Sequence, residues 1–478
     1  MELRADANIG VCLRALLDDA EIVGAGDVRV QHCTTEAGSC RTGDVFIACS
    51  DEGSDGHEAA AEAVRLGAVA VIASRPVQVP VPVCYVPDTR LAYGRICQAL
   101  AGHPSTQLKT IGIAGSLGKT TTGYLIASIL SAAGRTPGVL GSLGYCDGEE
   151  IADARWTTPP PPVGAAWLAR MVENGCTHAV LEASPRGIDR RHTAGIVYDA
   201  CCVTNLHRDA VRGDRHGDPR RLVARLLEQL SPEGVLVANV DDPGASAVVA
   251  EHEGPVITVG LHEPAEITAT FVERHLSEQT FLLSFDREVV PVRSHLVGPH
   301  NVANCLVAAA VGTVYGITPD VIVRGLESVR ELPGRLERIE CGQPFGVFLD
   351  DAPSPAALAA CLETLRTTTQ RRLLCVLDET TTAGSALDDW HRVIRSWCDE
   401  AVVLDGHGGD QAAEIRRRSR RADAVARTLR NASAGDCVLI AGNGGFGVQE
   451  DRDAWDDRQI VRHTLYRMLH DAPRMHTA

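Results

Sequence analysis

The chain has 478 residues, 45% of them apolar and 23% charged, with a net charge of −16 at pH 7. That length exceeds one ordinary core and calls for two to four domains, and the composition is that of a globular chain, not a disordered one. The acidic balance excludes a general binder of nucleic acid or anionic membranes, which needs a basic face, so any phosphate held here must sit in a local site.

Short strand-like runs open the chain, at Asp44-Val45-Phe46-Ile47-Ala48 and Ala68-Val69-Ala70-Val71-Ile72. Helical spacing over 58–66 lies between them, which predicts a small α/β domain over 1–107. A break at Gly102-His103-Pro104-Ser105 ends it. A second domain, 108–330, opens with the strand Thr110-Ile111-Gly112-Ile113-Ala114, a glycine loop and a helix over 120–133. Strand and helix patterns then alternate until a helix over 301–314, the signature of a mostly parallel sheet with helices on both faces. The third domain, 331–478, alternates again through Gly346-Val347-Phe348-Leu349, a helix over 355–365 and strands near 373, 401 and 437. It reads as a second doubly wound, Rossmann-like unit, so the fold class is α/β in three domains.

No apolar run reaches the roughly eighteen residues of a membrane span. The start, Met1-Glu2-Leu3-Arg4-Ala5-Asp6, lacks the basic-then-apolar layout of a secretory signal. The 16 cysteines show no CxxC spacing and many sit in apolar runs, so they read as reduced thiols of a cytoplasmic protein.

The loop Gly115-Ser116-Leu117-Gly118-Lys119-Thr120 carries the chemistry. Glycines let consecutive N–H groups converge on one anion, and a helix N-terminus adds its partial positive charge. Lys119 is placed to reach the terminal phosphates, and the Thr120 hydroxyl to coordinate Mg²⁺. The chain has only two lysines, Lys109 and Lys119, among 46 basic residues. One of the two is the lysine that a phosphate loop needs.

Gly102-His103-Pro104-Ser105 followed by Ile111 to Thr122 resembles the GHPS…IGVTGTNGKTTT stretch of the Mur ligases, in particular the MurE type, the UDP-N-acetylmuramoyl-tripeptide synthetases. The likeness runs almost end to end. It takes in Thr157-Thr158-Pro159, Glu182-Ala183-Ser184, Thr204-Asn205-Leu206, Asn239-Val240-Asp241-Asp242-Pro243, Gly298-Pro299-His300-Asn301-Val302-Ala303-Asn304, Gly334-Arg335-Leu336-Glu337 and Asp456-Asp457-Arg458. The resemblance implies ATP-dependent amide formation in peptidoglycan biosynthesis. A substrate carboxylate takes the γ-phosphoryl group as an acyl phosphate, and an amine then displaces phosphate.

Carried over by position, Gly115, Ser116, Gly118, Lys119, Thr120 and Thr121 hold the phosphates. Thr120 and Glu182 ligate Mg²⁺, and Lys119 and Glu182 are the catalytic pair. His300, Asn301 and Asn304 border the adenine, although Asn301 reads equally well as a helix cap. Arg335 and Asp350 close over the nucleotide, and Thr157, Thr158 and Ser184 border the acceptor. The family default is a monomer acting on a small carboxylate, such as a UDP-muramoyl peptide, and an amino acid or amine.

The sequence departs from the pattern at the chemistry. The family's EVSSH is Glu182-Ala183-Ser184-Pro185-Arg186 here, and Ala210 stands where a metal-binding histidine belongs. Val223 aligns with a lysine that the family carbamylates, and with two lysines in the chain no other is free for that role. The run Arg208, Arg212, Arg215, Arg220, Arg221, Arg225 either replaces that charge or is a solvated basic face. In the third domain the family's DYAHTP is Asp350-Asp351-Ala352-Pro353-Ser354-Pro355, DNPR is Asp405-Gly406-His407-Gly408, and GKGHE is Gly442-Asn443-Gly444-Gly445-Phe446. In the first, the DSR that helps seat UDP is Glu36-Ala37-Gly38. Two readings follow: a ligase with altered substrates, or a homologue that binds ATP without turnover and serves as a binding or regulatory module.

Overall fold

The computed structural model describes residues 10–51, 53–206, 218–378, 387–404, 411–442 and 457–471. Three sheets organise them. Near the start, Glu21–Val23, Val83–Tyr85, Ala70–Ala73, Val45–Ile47 and Cys33–Thr34 form a five-stranded sheet in that order. The helix Gly56–Leu66 is capped by Asp55 and ends at Gly67 in the left-handed region, where a side chain is disfavoured.

The central sheet has 11 strands. Its middle is parallel, running from Pro137–Gly141 through His178–Ala183, Lys109–Ala114, Tyr198–Val203, Leu230–Asn239 and Val256–Gly260 to Ile267–Arg274. Both edges turn antiparallel, through Gly144–Cys146 and Ile151–Ala152 on one side and Gln279–Ser284 and Val289–Ser294 on the other. The strand pattern alone did not reveal these antiparallel margins, because alternation reports burial and not chain direction. Helices Lys119–Ala132 and Pro299–Val314 pack together on one face, sharing Leu125, Ile129, Val302 and Leu306 in one core. Trp167, Leu168, Leu222 and Leu226 fill the opposite face.

The third sheet runs Glu337–Arg338, Gly346–Asp350, Cys437–Ala441, Leu373–Asp378, Glu400–Leu404, parallel except at the first pair. Helices Pro355–Thr368 and Leu387–Trp397 cover one face, and Gln411–Asn431 and Asp457–Asp471 the other. This is a doubly wound unit, so the molecule has the three-domain α/β fold. Among the described residues no helix is long and apolar enough to cross a membrane, and every described cysteine is free.

Candidate nucleotide-binding cleft

Register places the site. Ile113 pairs with Glu182 and Ala114 with Ala183 on one side, and Ala114 pairs with Val203 on the other. The glycine loop therefore leaves the sheet between Glu182 and the Thr204-Asn205 turn, at the carboxyl ends of parallel strands, where such sheets bind ligands. Asn205 ties the loop down. Its carbonyl oxygen accepts from the Ser116 N–H at 2.9 Å and its side-chain oxygen from the Leu117 N–H at 2.9 Å, while its amide donates to the Leu117 carbonyl at 3.0 Å.

Two glycines are required here. Gly115 sits at φ 151°, where a Cβ would collide with the Thr204 hydroxyl, and Gly118 sits at φ 83°, where it would collide with the Asn304 side-chain oxygen. Gly118 caps the helix that begins at Lys119. The Lys119 ammonium donates to the Gly115 and Ser116 carbonyls at 2.8 and 3.2 Å. Burial pulls its pKa down, opposed by the nearby Glu182 carboxylate.

Glu182 is 4% exposed, and burial pushes its pKa up against the pull of Lys119. Its carboxylate accepts from the Thr120 hydroxyl at 3.1 Å and from the Ser142 N–H at 2.9 Å, and the Thr120 and Ser142 hydroxyls lie 2.9 Å apart. Ser142 was not singled out from the sequence. It follows the strand Pro137–Gly141 in a segment without a motif, and pairing of that strand beside His178–Ala183 brings it in.

These hard oxygen donors fit magnesium, which takes one or two protein oxygens and completes its octahedron with phosphate and water. No group of three His, Cys, Asp or Glu able to hold a metal by itself occurs among the described residues.

The cleft has a volume of about 870 Å³ and runs from the glycine loop to the third domain. Of the sequence-assigned residues, Ser116, Gly118, Lys119, Thr120, Thr121, Thr157, Glu182, Ser184, His300, Asn301, Asn304, Arg335 and Asp350 line it. Gly115 and Thr158 stand behind that surface. Thr158 is buried, with its hydroxyl donating to the Glu182 carbonyl at 2.8 Å and lying 3.0 Å from the Ser184 hydroxyl.

Asn301 is not a cap. The helix begins at Pro299 with Gly298 in the cap position, and the Asn301 amide donates back to the Val297 carbonyl at 2.8 Å. Its side-chain oxygen accepts from the Asn304 amide at 3.2 Å, and the Asn304 oxygen accepts from the Thr122 hydroxyl at 3.3 Å. Burial holds His300 neutral, with its pKa pushed down to about 4.

Across the cleft, Asp350 ends its strand with both carboxylate oxygens accepting backbone N–H groups, from Leu336 and from Ala352, each at 2.8 Å. Leu336 (φ 46°) and Ala352 (φ 35°) both lie in the left-handed region that non-glycine residues avoid. One buried carboxylate thus holds two strained turns, and burial raises its pKa. Arg335, on the first of those turns, pairs with Asp351 at 3.0 Å. Asp351 escaped the sequence reading because its partner lies 16 residues away.

The departures divide three ways. Arg186 lines the cleft. Val223 is buried in the apolar core, Arg220 pairs with Asp218 at 3.0 Å and Arg225 with Asp189 at 3.2 Å, and none of the three lines the cleft. Glu36 bonds locally to the Ser39 hydroxyl at 3.0 Å. Arg208, Ala210, Arg212, Arg215, Asp405 to Gly408 and Asn443 to Phe446 lie outside the described residues.

Fold and cleft together define an α/β protein whose glycine loop, between a parallel strand and a helix, opens into a cleft between the second and third domains. The Mur ligase middle domain matches residues 113–312, and the Mur ligase glutamate ligase domain residues 334–444. A UDP-N-acetylmuramoyl-L-alanyl-D-glutamate--2,6-diaminopimelate ligase of Geobacillus thermodenitrificans is 30% identical over 453 residues, covering 88% of this chain and 91% of the relative. A UDP-N-acetylmuramyl-tripeptide synthetase of Roseiflexus sp. is 31% identical over 473 residues, with 88% and 92% covered.

The chain belongs to the Mur ligase family. Among solved structures, a diaminopimelate ligase superposes with a TM-score of 0.70 at 22% identity over 97% of this chain and all of that one. MurF ligase from Thermotoga maritima, solved in complex with ADP, gives 0.59 at 17% identity, with 91% and 98% covered. These support the three-domain fold, and the names of the relatives agree with the expectation of an acid–amino-acid ligase.

Proposed function

We propose that the chain is an ATP-dependent carboxylate–amine ligase whose acceptor and amine differ from those of the diaminopimelate ligases. The observation that carries the ligase reading is the meeting of Lys119, Thr120 and Glu182 at one end of a cleft that Arg335 and Asp351 close from the other side. The difference in substrates rests on the departures from the family pattern at Glu36 to Gly38, Asp405 to Gly408 and Asn443 to Phe446. The loop N–H groups and Lys119 bind the phosphates, the ammonium exchanging its loop carbonyls for phosphate oxygens. Neutral His300 with Asn301 and Asn304 lines the nucleoside end. Thr157 and Ser184 orient the acceptor carboxylate beside Glu182. Magnesium at Thr120 and Glu182 supplies charge neutralisation at the phosphoryl oxygens when bound.

One observation favours a second reading, a nucleotide-binding homologue without turnover. Of the two lysines, Lys119 belongs to the loop and Lys109 pairs with Asp199 at 2.8 Å on the surface, so neither is available as a carbamate for a further metal. The test is phosphate release from ATP and Mg²⁺ across a panel of carboxylates and amines, with Lys119→Met as control. Release that needs both a carboxylate and an amine supports the ligase. Nucleotide binding with no stimulated release across the panel supports the second reading, and no nucleotide binding overturns both.

A further inference from the structure

The cleft is rich in carboxylates, and its cations are mostly committed. Arg335 is paired with Asp351, and Lys119 serves the glycine loop. Arg186 differs. It lines the cleft, it is exposed, and among the described residues its guanidinium makes no hydrogen bond or ion pair. Its backbone is well held, because the strand His178–Ala183 passes directly into the short helix Pro185–Asp189. That helix is capped by Ser184, whose hydroxyl accepts the Gly187 N–H at 3.1 Å and is itself braced by Thr158. The fixed stem places an exposed cationic head four residues beyond Glu182.

We infer that Arg186 is the oxyanion ligand that lets an anionic acceptor approach the terminal phosphate, a role that rests on the cleft being a nucleotide site. In the step it assists, an acceptor carboxylate oxygen bonds to the γ-phosphorus while the bond from that phosphorus to the β,γ-bridging oxygen breaks and ADP leaves with the electron pair. The amine nitrogen then bonds to the acyl carbon, phosphate departs with the C–O electron pair, and the ammonium proton passes to water. Both partners of the first step are anions beside buried Glu182. A guanidinium that can fork onto phosphate and carboxylate oxygens offsets that repulsion where a neutral side chain cannot.

The test measures binding of inorganic phosphate to the full chain loaded with ADP and Mg²⁺, for the wild type, Arg186→Ala, Arg186→Lys and, as an exposed control outside the cleft, Arg221→Ala. The expected result is a loss of phosphate affinity of roughly 10- to 100-fold in Arg186→Ala, the range of one charge-assisted contact, with ADP affinity unchanged. Arg186→Lys falls between, free guanidinium restores phosphate binding to Arg186→Ala, and Arg221→Ala behaves as wild type. Phosphate affinity in Arg186→Ala equal to wild type, or a loss that guanidinium does not restore, overturns the inference. Because this readout needs no turnover, a chain that binds phosphate through Arg186 but forms no amide refutes the ligase reading while leaving Arg186 as an oxyanion ligand of the nucleotide cleft.

Discussion

Replacing Gly118 by alanine tests whether the glycine loop and the Asn301–Asn304 helix form one unit. The substitution puts a side chain at φ 83°, a left-handed conformation that costs an L-residue about 1–2 kcal/mol. The new Cβ also displaces the Asn304 side chain, whose bonds to Thr122 (3.3 Å) and Asn301 (3.2 Å) are then lost. At about 0.5–1.5 kcal/mol each, those two bonds bring the total to roughly 2–5 kcal/mol. Asn304→Ala alone forfeits the same two bonds, about 1–3 kcal/mol, without backbone strain. The double variant removes the collision and pays for the bonds once, so the two costs combine to less than their sum by roughly 1–3 kcal/mol. Urea denaturation of the four proteins, followed by tryptophan fluorescence, measures the cycle, and titration with ADP shows whether binding weakens in parallel. Strict additivity would refute the reasoning, since it would mean that the Cβ at 118 never meets Asn304.

Glu182→Gln should leave affinity for metal-free ADP near wild type while raising the Mg²⁺ concentration needed for tight binding, read by calorimetric titration at several Mg²⁺ levels. An unchanged Mg²⁺ requirement would remove Glu182 from the metal. Arg421 is buried against Asp457 (2.8 and 2.5 Å) and near Asp378 (3.5 Å), so Arg421→Met leaves buried carboxylates without their cation. It should destabilise the third domain by about 3–5 kcal/mol in chemical denaturation, and a loss below 1 kcal/mol would show that the pair contributes little.

His178 is 4% exposed, and burial pushes its pKa from 6.5 down to about 4. The unfolded chain therefore binds the extra proton between those values. Stability is full above about pH 6.5 and falls as the pH drops toward 4, by on the order of 3 kcal/mol from this group. His178→Gln should flatten that part of the stability-against-pH curve, and an unaltered slope would count against a neutral buried imidazole.

Much of the site could be read along the chain because its chemistry is local. Gly115, Gly118, Lys119 and Thr120 fall within six residues around one strand-to-helix turn, and the positive φ of both glycines is a demand of that turn itself. Glu182, Asn304 and Arg335 came from the family resemblance, since nothing in their own neighbourhoods distinguishes a cleft residue from a buried polar one. Ser142 had neither signal, and Asp351 stands where the family pattern has a tyrosine, so the resemblance assigned it no role. Their roles depend on which strand lies beside which and on a pairing across a loop, and only long-range packing settles either.

The same division runs through the fold. Alternating apolar runs and helical spacing determined that the chain is α/β in three parts, because burial leaves a periodic record in sequence. Chain direction at the margins of the central sheet was decided in three dimensions, because hydrogen-bond direction leaves no such record. So was the difference between Arg225, turned onto Asp189, and Arg186, left free in the cleft: each has an acidic residue three positions further on, and only the packed backbone determines which carboxylate each can reach.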